Sequence, residues 1–295
     1  MHAEPRSPAP LARHHQAGSL LAGRYRLVRE LGSGQMARVF IATQQPMGRR
    51  VAVKILHDEL RLDREAVGRF HQEVTAVARL RSPHTIQFHD AGESAGAQFI
   101  VMELLAGETL RQRLERDGAM PPAEVAAIAA QVAASLQEAH EAGILHRDLK
   151  PENVFLCAHP TPLRPFAKVL DFGLAKVLDG DDDPKLTGPR QVVGTPAYMS
   201  PERIVRGRAV DHRADVYALG VMCFEMLTGT LPYQESTPMK MALAHATQSI
   251  PRASGRRPSL SPAIDAVLRA VLAKNPADRP EDAVTFAAEL AAACR

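Results

Sequence analysis

The spacing of hydrophobic and polar positions changes along the chain, and this change predicts where strands and helices lie. From Tyr25 the chain contains short runs of β-favouring residues, separated by turn formers such as Pro46 to Gly48. Such runs predict β-strands. They read RYRLVREL, ARVFIATQ and RRVAVKIL, and later TIQFHDAG and AQFIVMELL. The first third of the chain is therefore predicted to be rich in β-structure.

One amphipathic helix is predicted within this part, in the segment REAVGRFHQEVTAVARL. Its apolar residues recur three and four positions apart, as on one face of a helix. They are Val67, Phe70, Val74, Val77 and Leu80. After Gly107 helical patterns dominate, including PPAEVAAIAAQVAASLQEAHEAG and VDHRADVYALGVMCFEMLTG. Strands followed by helices predict an α+β chain of two unequal lobes, with a ligand cleft between them.

Composition excludes several classes of protein. The net charge is only +3, from 36 Lys and Arg against 33 Asp and Glu, which gives no basic patch for nucleic acid. Cys157, Cys223 and Cys294 lie far apart, which fits a reducing compartment. No run approaches the roughly 20 apolar residues of a membrane span, and no secretory signal is recognisable. We therefore expect a cytoplasmic protein with no nucleic-acid partner and no membrane span in this chain.

A glycine hairpin joins the first two predicted strands, Leu31-Gly32-Ser33-Gly34-Gln35-Met36-Ala37-Arg38-Val39. Glycines let backbone N–H groups approach a polyphosphate closely. A tight β-turn would have the same local sequence, so this hairpin alone does not decide between the two interpretations. It is not a Walker A loop, because no GK[ST] follows.

A lysine and a glutamate could complete a phosphate site behind this hairpin. Lys54 ends the strand VAVK, and Glu73 lies 19 residues on, within the amphipathic helix. A lysine that holds phosphate oxygens needs a carboxylate to fix its flexible stem. Taken singly, each is more typical of a surface charge; the combination favours a functional pair.

The stretch ILHRDLKPEN is the most informative part of the sequence. Phosphoryl transfer needs a carboxylate to orient the attacking hydroxyl, a cation near the transferred group, and oxygen ligands for Mg²⁺. Asp148, Lys150 and Asn153 fit these roles in that order. A second oxygen ligand, Asp171, follows in VLDFG. The order and spacing of the two strings make a chance occurrence improbable.

These motifs resemble the catalytic domain of bacterial eukaryotic-type (Hanks-type) serine/threonine protein kinases, over about residues 25–293. The resemblance implies a bilobal protein kinase fold with a small β-rich N-lobe of about 21–102, a hinge of about 103–106, and a helical C-lobe of about 107–293. Residues 1–20 are expected to be a disordered lead-in. The proline-containing stretch from Val154 to Val169 is expected to be a surface β-turn insertion without a chemical role.

The resemblance also implies a role for each matching position. Asp148 would be the catalytic carboxylate, Lys150 would contact the γ-phosphate, Lys54 with Glu73 would hold the α- and β-phosphates, and Asn153 with Asp171 would bind Mg²⁺, for which Mn²⁺ is an alternative. Three groups of residues would bind ATP, namely the glycine hairpin, the hinge and the walls of the adenine pocket. They are Leu31, Gly32, Ser33, Gly34, Gln35, Met36, Ala37, Val39, Ala52, Met102, Glu103, Leu105 and Phe155. His146 is expected to be a packing residue.

Other matching residues concern structure and acceptor choice. Glu202, in the segment GTPAYMSPE, is expected to pair with Arg279, and Asp215 to hold the backbone of the catalytic loop. Lys150 together with Thr195 marks serine/threonine specificity. The implied partners are ATP and protein substrates, with a homodimer as one route to autophosphorylation.

Regulation is predicted from two further positions. Arg147 precedes the catalytic aspartate, which in this family accompanies control by activation-loop phosphorylation, because a phosphate there supplies an anion for the arginine. Thr187 is the only hydroxyl residue between Gly173 and Gly194 and is the candidate phosphosite.

Two other functions compete with a protein kinase. A pseudokinase scaffold would lack at least one of the five residues that bind nucleotide and metal or carry out catalysis, and the chain has all five: Lys54, Glu73, Asp148, Asn153 and Asp171. A small-molecule kinase would lack the segment GTPAYMSPE, which shapes a peptide-binding surface in protein kinases.

Overall fold

The computed structural model describes residues 15–34, 37–57, 64–158, 165–172, 196–204 and 209–295. The chain divides into two compact units, of which the first comprises Met1–Val74 and Gln87–Leu105 and the second Thr75–Ile86 and Ala106–Arg295. Among the described helices, none is both long enough and apolar enough to cross a membrane.

An antiparallel sheet of six strands forms the first unit, in the order β1-β2-β3-β4-β6-β5. The strands are β1 (Leu20–Leu21), β2 (Tyr25–Ser33), β3 (Ala37–Gln44), β4 (Arg49–Leu56), β5 (Phe88–Ser94) and β6 (Ala97–Glu103). Alternate residues of these strands meet in one apolar cluster, which includes Leu27, Phe40, Val53, Phe99 and Val101. The predicted strands are therefore present, because period-2 alternation places one face of each on a common core.

Residues 1–20 were expected to be a disordered lead-in, but the last of them pair with the sheet. The N–H of Gly18 donates to the carbonyl of Leu27 at 2.7 Å, and the N–H of Leu27 donates to Ser19 at 2.9 Å. β1 pairs with β2, with Leu20 opposite Arg26. The described part of the predicted lead-in is thus attached to the sheet, because its backbone groups satisfy those of β2; residues 1–14 lie outside the described residues.

The predicted amphipathic helix is α1 (Arg64–Val77). Phe70, Val74 and Val77 are buried along one side of it, as their spacing predicts. The helix ends at Val77, and Leu80 is buried in the loop that follows.

Helices and a small sheet make up the second unit. The helices are α2 (Leu110–Asp117), α3 (Pro122–Glu141), α4 (Pro201–Ile204), α5 (Arg213–Thr228), α6 (Pro238–Thr247), α7 (Pro262–Val271) and α8 (Ala283–Ala293). Several begin at the polar caps that their sequences provide. Thr109 forms a capping box with Gln112 at α2, and Thr237, Ser261 and Asp282 cap α6, α7 and α8. These caps satisfy backbone N–H groups that the first turn leaves without a helical partner.

The small sheet corrects the interpretation of residues 154–169 as a surface insertion. β8 (Val154–Cys157) lies between β7 (Gly107–Thr109) and β9 (Phe166–Val169), and all pairs are antiparallel. Val154, Ala167 and Val169 are fully buried. The two ends of this stretch are therefore core strands. Their apolar runs are too short to stand out in the sequence beside the prolines that separate them. Residues 159–164 lie outside the described residues.

Helix α5 is buried on all sides, as expected for a helix that is apolar all round. Its glycine, Gly220, allows α7 to approach closely, because an added Cβ would lie 2.5 Å from Cγ1 of Val271. The α+β class predicted from the sequence is confirmed, with a β-rich first unit and a helical second unit.

Candidate active site

Two predicted site residues of the second unit, Lys150 and Asn153, converge on a third, the carboxylate residue Asp148. The Lys150 ammonium donates to Oδ2 of Asp148 at 2.7 Å. The side-chain amide of Asn153 donates to the backbone carbonyl of Asp148 at 2.8 Å and to Oδ2 at 3.3 Å. A short 3₁₀ turn, Pro151–Asn153, brings Asn153 back towards Asp148. The string DLKPEN thus folds into a compact site because its residues lie within one turn of each other.

Asp215 holds the backbone that precedes Asp148. Its carboxylate accepts the N–H of His146 at 2.8 Å and the N–H of Arg147 at 2.9 Å. Arg147 adopts the left-handed region with φ 66°, a strained conformation that its surroundings must hold. Burial alone would raise the pKa of Asp215, but the hydrogen bonds from His140 and His146 outweigh it and hold that pKa below its usual value. Asp215 thus lies against the catalytic loop and binds its backbone, as the family resemblance implies.

His140 is a member of this anchor that the sequence did not single out. Its Nε2–H donates to Oδ2 of Asp215 at 2.9 Å, from the last turn of α3. The proton of this hydrogen bond belongs to Nε2, because a carboxylate oxygen can only accept. Nδ1 is buried and has no hydrogen-bond partner among the described residues. His140 belongs to no recognisable motif, and its distance of six residues from His146 matches no known spacing. Its role could therefore not be predicted from the sequence.

Arg203 also contacts this backbone and was not anticipated. Its guanidinium donates to the carbonyl of Arg147, from the end of α4. The N–H and the carbonyl of Arg147 are therefore both engaged by side chains that lie more than 50 residues after Arg147 in the chain. This arrangement fixes the peptide units directly before Asp148.

Asp171 follows β9 in a second strained conformation, with φ 55°. The residue before it is held by two contacts, since the N–H of Leu170 donates to Asn153 O at 2.8 Å and the carbonyl of Leu170 accepts from Nε2 of His146 at 2.8 Å. The residue after it, Phe172, is fully buried, with its ring 4.8 Å from that of His146. His146 packs in the core, as its resemblance to the family's packing residue implies.

The chemistry of Asn153 and Asp171 fits a hard divalent cation. The amide nitrogen of Asn153 is turned towards Asp148, which leaves its oxygen without a hydrogen bond from the described residues. Asp171 contributes a carboxylate two residues after a buried strand. Amide and carboxylate oxygens are the ligands that Mg²⁺ prefers.

Most of the predicted nucleotide-binding positions lie on strands of the first unit. The glycine hairpin joins β2 to β3, and Gly34 N–H donates to Ala37 O at 2.9 Å; Gln35 and Met36 lie outside the described residues. Val39, on β3, pairs with Lys54, on β4. Ala52, also on β4, pairs with Met102 of β6.

The hinge residues follow from β6. The N–H of Glu103 donates to Gln87 O at 3.0 Å, so only its carbonyl could serve an adenine. Leu105 is half-buried at the end of the first unit. Glu73, on α1, also belongs to the first unit, whereas Phe155 lies on β8 of the second. The pairing of Lys54 with Glu73 and the adenine pocket remain predictions.

Beyond the catalytic loop, the structure joins Glu202 to Arg279. Both carboxylate oxygens accept from the guanidinium, at 2.8 and 2.7 Å, and both side chains are almost completely buried. Thr187 and Thr195, and with them the candidate phosphosite, lie outside the described residues.

Arg111, on α2, connects this helix to three other parts of the second unit. Nothing in the sequence indicated this role. From the first turn of α2 it contacts Glu152 of the catalytic loop at 3.0 Å and Glu225 of α5 at 2.8 Å. It also donates to the hydroxyl of Tyr198, which in turn donates to Glu225. Burial and the neighbouring Glu225 carboxylate raise the pKa of Tyr198 well above its usual value. The hydroxyl therefore stays protonated as a donor.

Comparison with known proteins shows extensive similarity. Residues 25–290 match the model of the protein kinase domain family. The chain is 43% identical over 280 residues to the serine/threonine-protein kinase pkn3 of Myxococcus xanthus, covering 93% of this chain and 51% of that protein. It is 40% identical over 257 residues to PknE of Mycobacterium bovis, covering 87% and 44%. The chain thus spans about half the length of the curated relatives it matches, or less.

Solved structures show the same likeness. The PknI kinase domain of Mycobacterium tuberculosis superposes with a TM-score of 0.74 at 31% identity, covering 94% of this chain and 98% of that chain. The PknI kinase domain therefore shares its fold with this chain over nearly the whole of both chains.

Proposed function

Because the chain belongs to the protein kinase domain family and has its bilobal fold, we propose that it transfers the γ-phosphoryl group of ATP to serine and threonine hydroxyls of proteins. The observation that carries this proposal is the convergence of Asp148, Lys150 and Asn153 within one turn of chain. Relatives that share the domain are named serine/threonine-protein kinases.

Each residue of this site has a role in transfer. Asp148 accepts the proton of the attacking hydroxyl and orients its oxygen towards the phosphorus atom. Lys150, 2.7 Å from Asp148, places a positive charge where the γ-phosphate would lie. Asp215, His140 and Arg203 keep the peptide units before Asp148 in place, so these three are positioning residues.

Divalent metal use is a general property of the family, and we propose Mg²⁺ for this chain, with Mn²⁺ as its substitute. Asn153 and Asp171 would hold it, because their oxygens suit a hard cation. The bound ion would neutralise charge on the phosphate oxygens. Lys54, fixed by Glu73, would bind the α- and β-phosphates of ATP. The remaining hairpin, hinge and pocket positions would enclose the ribose and adenine.

Acceptor choice and regulation are part of the same proposal. Lys150 and Thr195 support serine and threonine over tyrosine. Arg147 supports control by phosphorylation, with Thr187 as the phosphorylated residue and autophosphorylation between two copies as the route. A phosphopeptide map of the autophosphorylated protein in which Thr187 is unmodified would overturn this choice of phosphosite.

A cytoplasmic location is proposed as well, since Cys157, Cys223 and Cys294 are all free thiols.

Label transfer from γ-labelled ATP tests the function directly. With Mg²⁺ and a generic basic protein as acceptor, we expect labelled serine or threonine, and a loss of roughly 10²- to 10⁴-fold for Asp148→Asn. Asp278→Asn is the matched control, because Asp278 is exposed and lies outside the site. Equal labelling by wild type and Asp148→Asn would contradict the proposal. Binding of ATP without transfer would instead favour a scaffold.

A further inference from the structure

Three polar side chains form a row on α3, a helix that is otherwise mostly apolar. Gln131, Ser135 and Glu138 are spaced by four and three residues, so they lie on one face of the helix. All three point into contacts within the second unit. We call them the α3 row.

Glu138 holds the loop that follows α1. Its two carboxylate oxygens accept the backbone N–H groups of Arg81 and Ser82, at 2.6 and 2.7 Å. The two N–H groups before these bond back into α1, and Pro83 after them has none. Glu138 thus satisfies two consecutive N–H groups that the local chain cannot satisfy itself.

Ser135 holds the same loop three residues further on. Its hydroxyl shares a hydrogen bond of 2.7 Å with that of Thr85, and both residues are buried. The loop in turn pairs with β9. The N–H of Val169 donates to His84 O at 2.7 Å, and the carbonyl of Val169 accepts from Ile86 at 3.0 Å.

Gln131 holds β9 directly. Its Oε1 accepts the N–H of Ala167 at 2.8 Å, and its Nε2 donates to the carbonyl of Pro165 at 2.8 Å. The α3 row therefore attaches to β9 by two routes, one direct through Gln131 and one through the loop. Both routes end on the backbone within six residues of Asp171.

We propose that the α3 row positions Asp171, by fixing the loop and the strand that lead to this carboxylate. Val169, which the loop binds through both of its backbone polar groups, lies two residues before Asp171. The left-handed conformation of Asp171 is costly for a residue with a Cβ, and it persists only where the flanking backbone is held. The contacts of Leu170 with Asn153 and His146 hold the backbone directly before Asp171, and the α3 row holds the strand before that.

The inference rests on the proposed function, because it takes Asp171 as a ligand of the nucleotide-bound cation. A row that only stabilised the fold would change the melting temperature and leave cation affinity alone. A row that positions Asp171 changes cation affinity in protein that remains folded.

Binding of Mn²⁺ tests this in the whole chain. Free Mn²⁺ is measured by electron paramagnetic resonance in the presence of a non-hydrolysable ATP analogue, for wild type, Glu138→Ala, Glu138→Gln and Glu141→Ala. Glu141 lies on the same helix but is exposed, so it is the matched control. We expect Glu138→Ala to weaken Mn²⁺ binding by about 3- to 10-fold, since two hydrogen bonds are lost.

The variants are expected to follow a graded order. Glu138→Gln keeps one accepting oxygen and should weaken binding less than Glu138→Ala, and Glu141→Ala should match wild type. The concentration of Mg²⁺ that gives half-maximal transfer should rise in the same order. Circular dichroism and thermal melting identify the variants that are folded.

Each other outcome has a defined meaning. Unchanged Mn²⁺ affinity in folded Glu138→Ala overturns the inference; if that variant does not fold, unchanged affinity in Glu138→Gln overturns it. Wild type that binds Mn²⁺ with nucleotide but transfers no phosphoryl group refutes the proposed function and leaves the positioning role standing. Wild type that binds no Mn²⁺ refutes both.

Discussion

Glu202 and Arg279 lie 77 positions apart in the sequence and form a bidentate ion pair, with N–O distances of 2.8 and 2.7 Å. Their side chains are 1% and 0% exposed, so neither charge has access to water. The Arg279 guanidinium also donates to the carbonyls of Ala273 and Arg213. The pair thus joins α4 to the segment between α7 and α8.

Breaking this pair on one side should be strongly destabilising. Arg279→Met leaves the Glu202 carboxylate buried without a counter-charge, which we expect to cost about 3–5 kcal/mol in the free energy of unfolding. Urea denaturation measures this. The control is Arg24→Met, because Arg24 is exposed in its pair with Asp90 and its loss is expected to cost about 1 kcal/mol or less. The double variant Glu202→Leu/Arg279→Met should be more stable than Arg279→Met alone. Equal losses for Arg279→Met and Arg24→Met would contradict the prediction.

Asp215→Asn should reduce turnover more than substrate binding. The carboxylate accepts with both oxygens, whereas an amide has one oxygen and one NH₂ group. The NH₂ group would face the N–H donor of either His146 or Arg147, so the backbone before Asp148 shifts. A shift of the Asp148 carboxylate by about 1 Å is expected to lower kcat by on the order of 10²-fold. The KM for ATP should change little. Steady-state kinetics of the purified variant, with Asp278→Asn as control, provide the measurement. A change confined to KM would argue against the positioning role.

The same substitution should alter the acid sensitivity of the fold. The pKa of Asp215 is held below its usual 3.8, so the stability it contributes is present above the unfolded pKa and is lost as the pH falls through the folded one. The difference in unfolding free energy between wild type and Asp215→Asn should therefore narrow below about pH 4.

Replacing Gly220 should cost stability in spite of helix propensity. Alanine gains about 1 kcal/mol over glycine in a helix interior, but its Cβ would lie 2.5 Å from Val271 Cγ1 in a packed core. Overpacking of this kind costs about 1–3 kcal/mol, and the clash should dominate because Val271 is fully buried. Unfolding of Gly220→Ala, Val271→Ala and the double variant measures the coupling. A double variant whose loss equals the sum of the single losses would exclude a direct clash.

His245 should make the second unit sensitive to mild acid. Burial, followed by the nearby Lys274 ammonium, lowers the pKa of His245 from 6.5 to about 4. Its Nδ1 hydrogen-bonds the Tyr217 hydroxyl at 2.8 Å, and Lys274 Nζ donates to its carbonyl at 2.7 Å. Above pH 6.5 His245 is not protonated in either the folded or the unfolded protein. Between pH 6.5 and 4 only the unfolded state does, so stability falls as the pH is lowered.

The measurement is the pH dependence of unfolding, from pH 7.5 to 4. Wild type should lose up to roughly 3 kcal/mol more than His245→Gln over this range, from the displaced pKa of one buried histidine. Parallel pH profiles for the two proteins would contradict the prediction.

The elements and the reactive strings follow from local sequence. Alternating runs predicted the strands of the first unit, and apolar residues three and four apart predicted α1. Asp148, Lys150 and Asn153 could be assigned together because they lie within six residues, where a single turn determines their distances. The strands β8 and β9 were missed, since each has only four residues and prolines lie between them.

What the sequence determined alone is the class of fold, the family resemblance and the candidates for catalysis, because periodicity and motif spacing are properties of neighbouring residues. Only the tertiary structure decided which distant side chains hold that site. His140, Arg203, Arg111 and Glu138 each resemble an ordinary surface residue in the sequence. Each acquires its role from a partner far away in the chain, and such partners are set by the packing of whole elements.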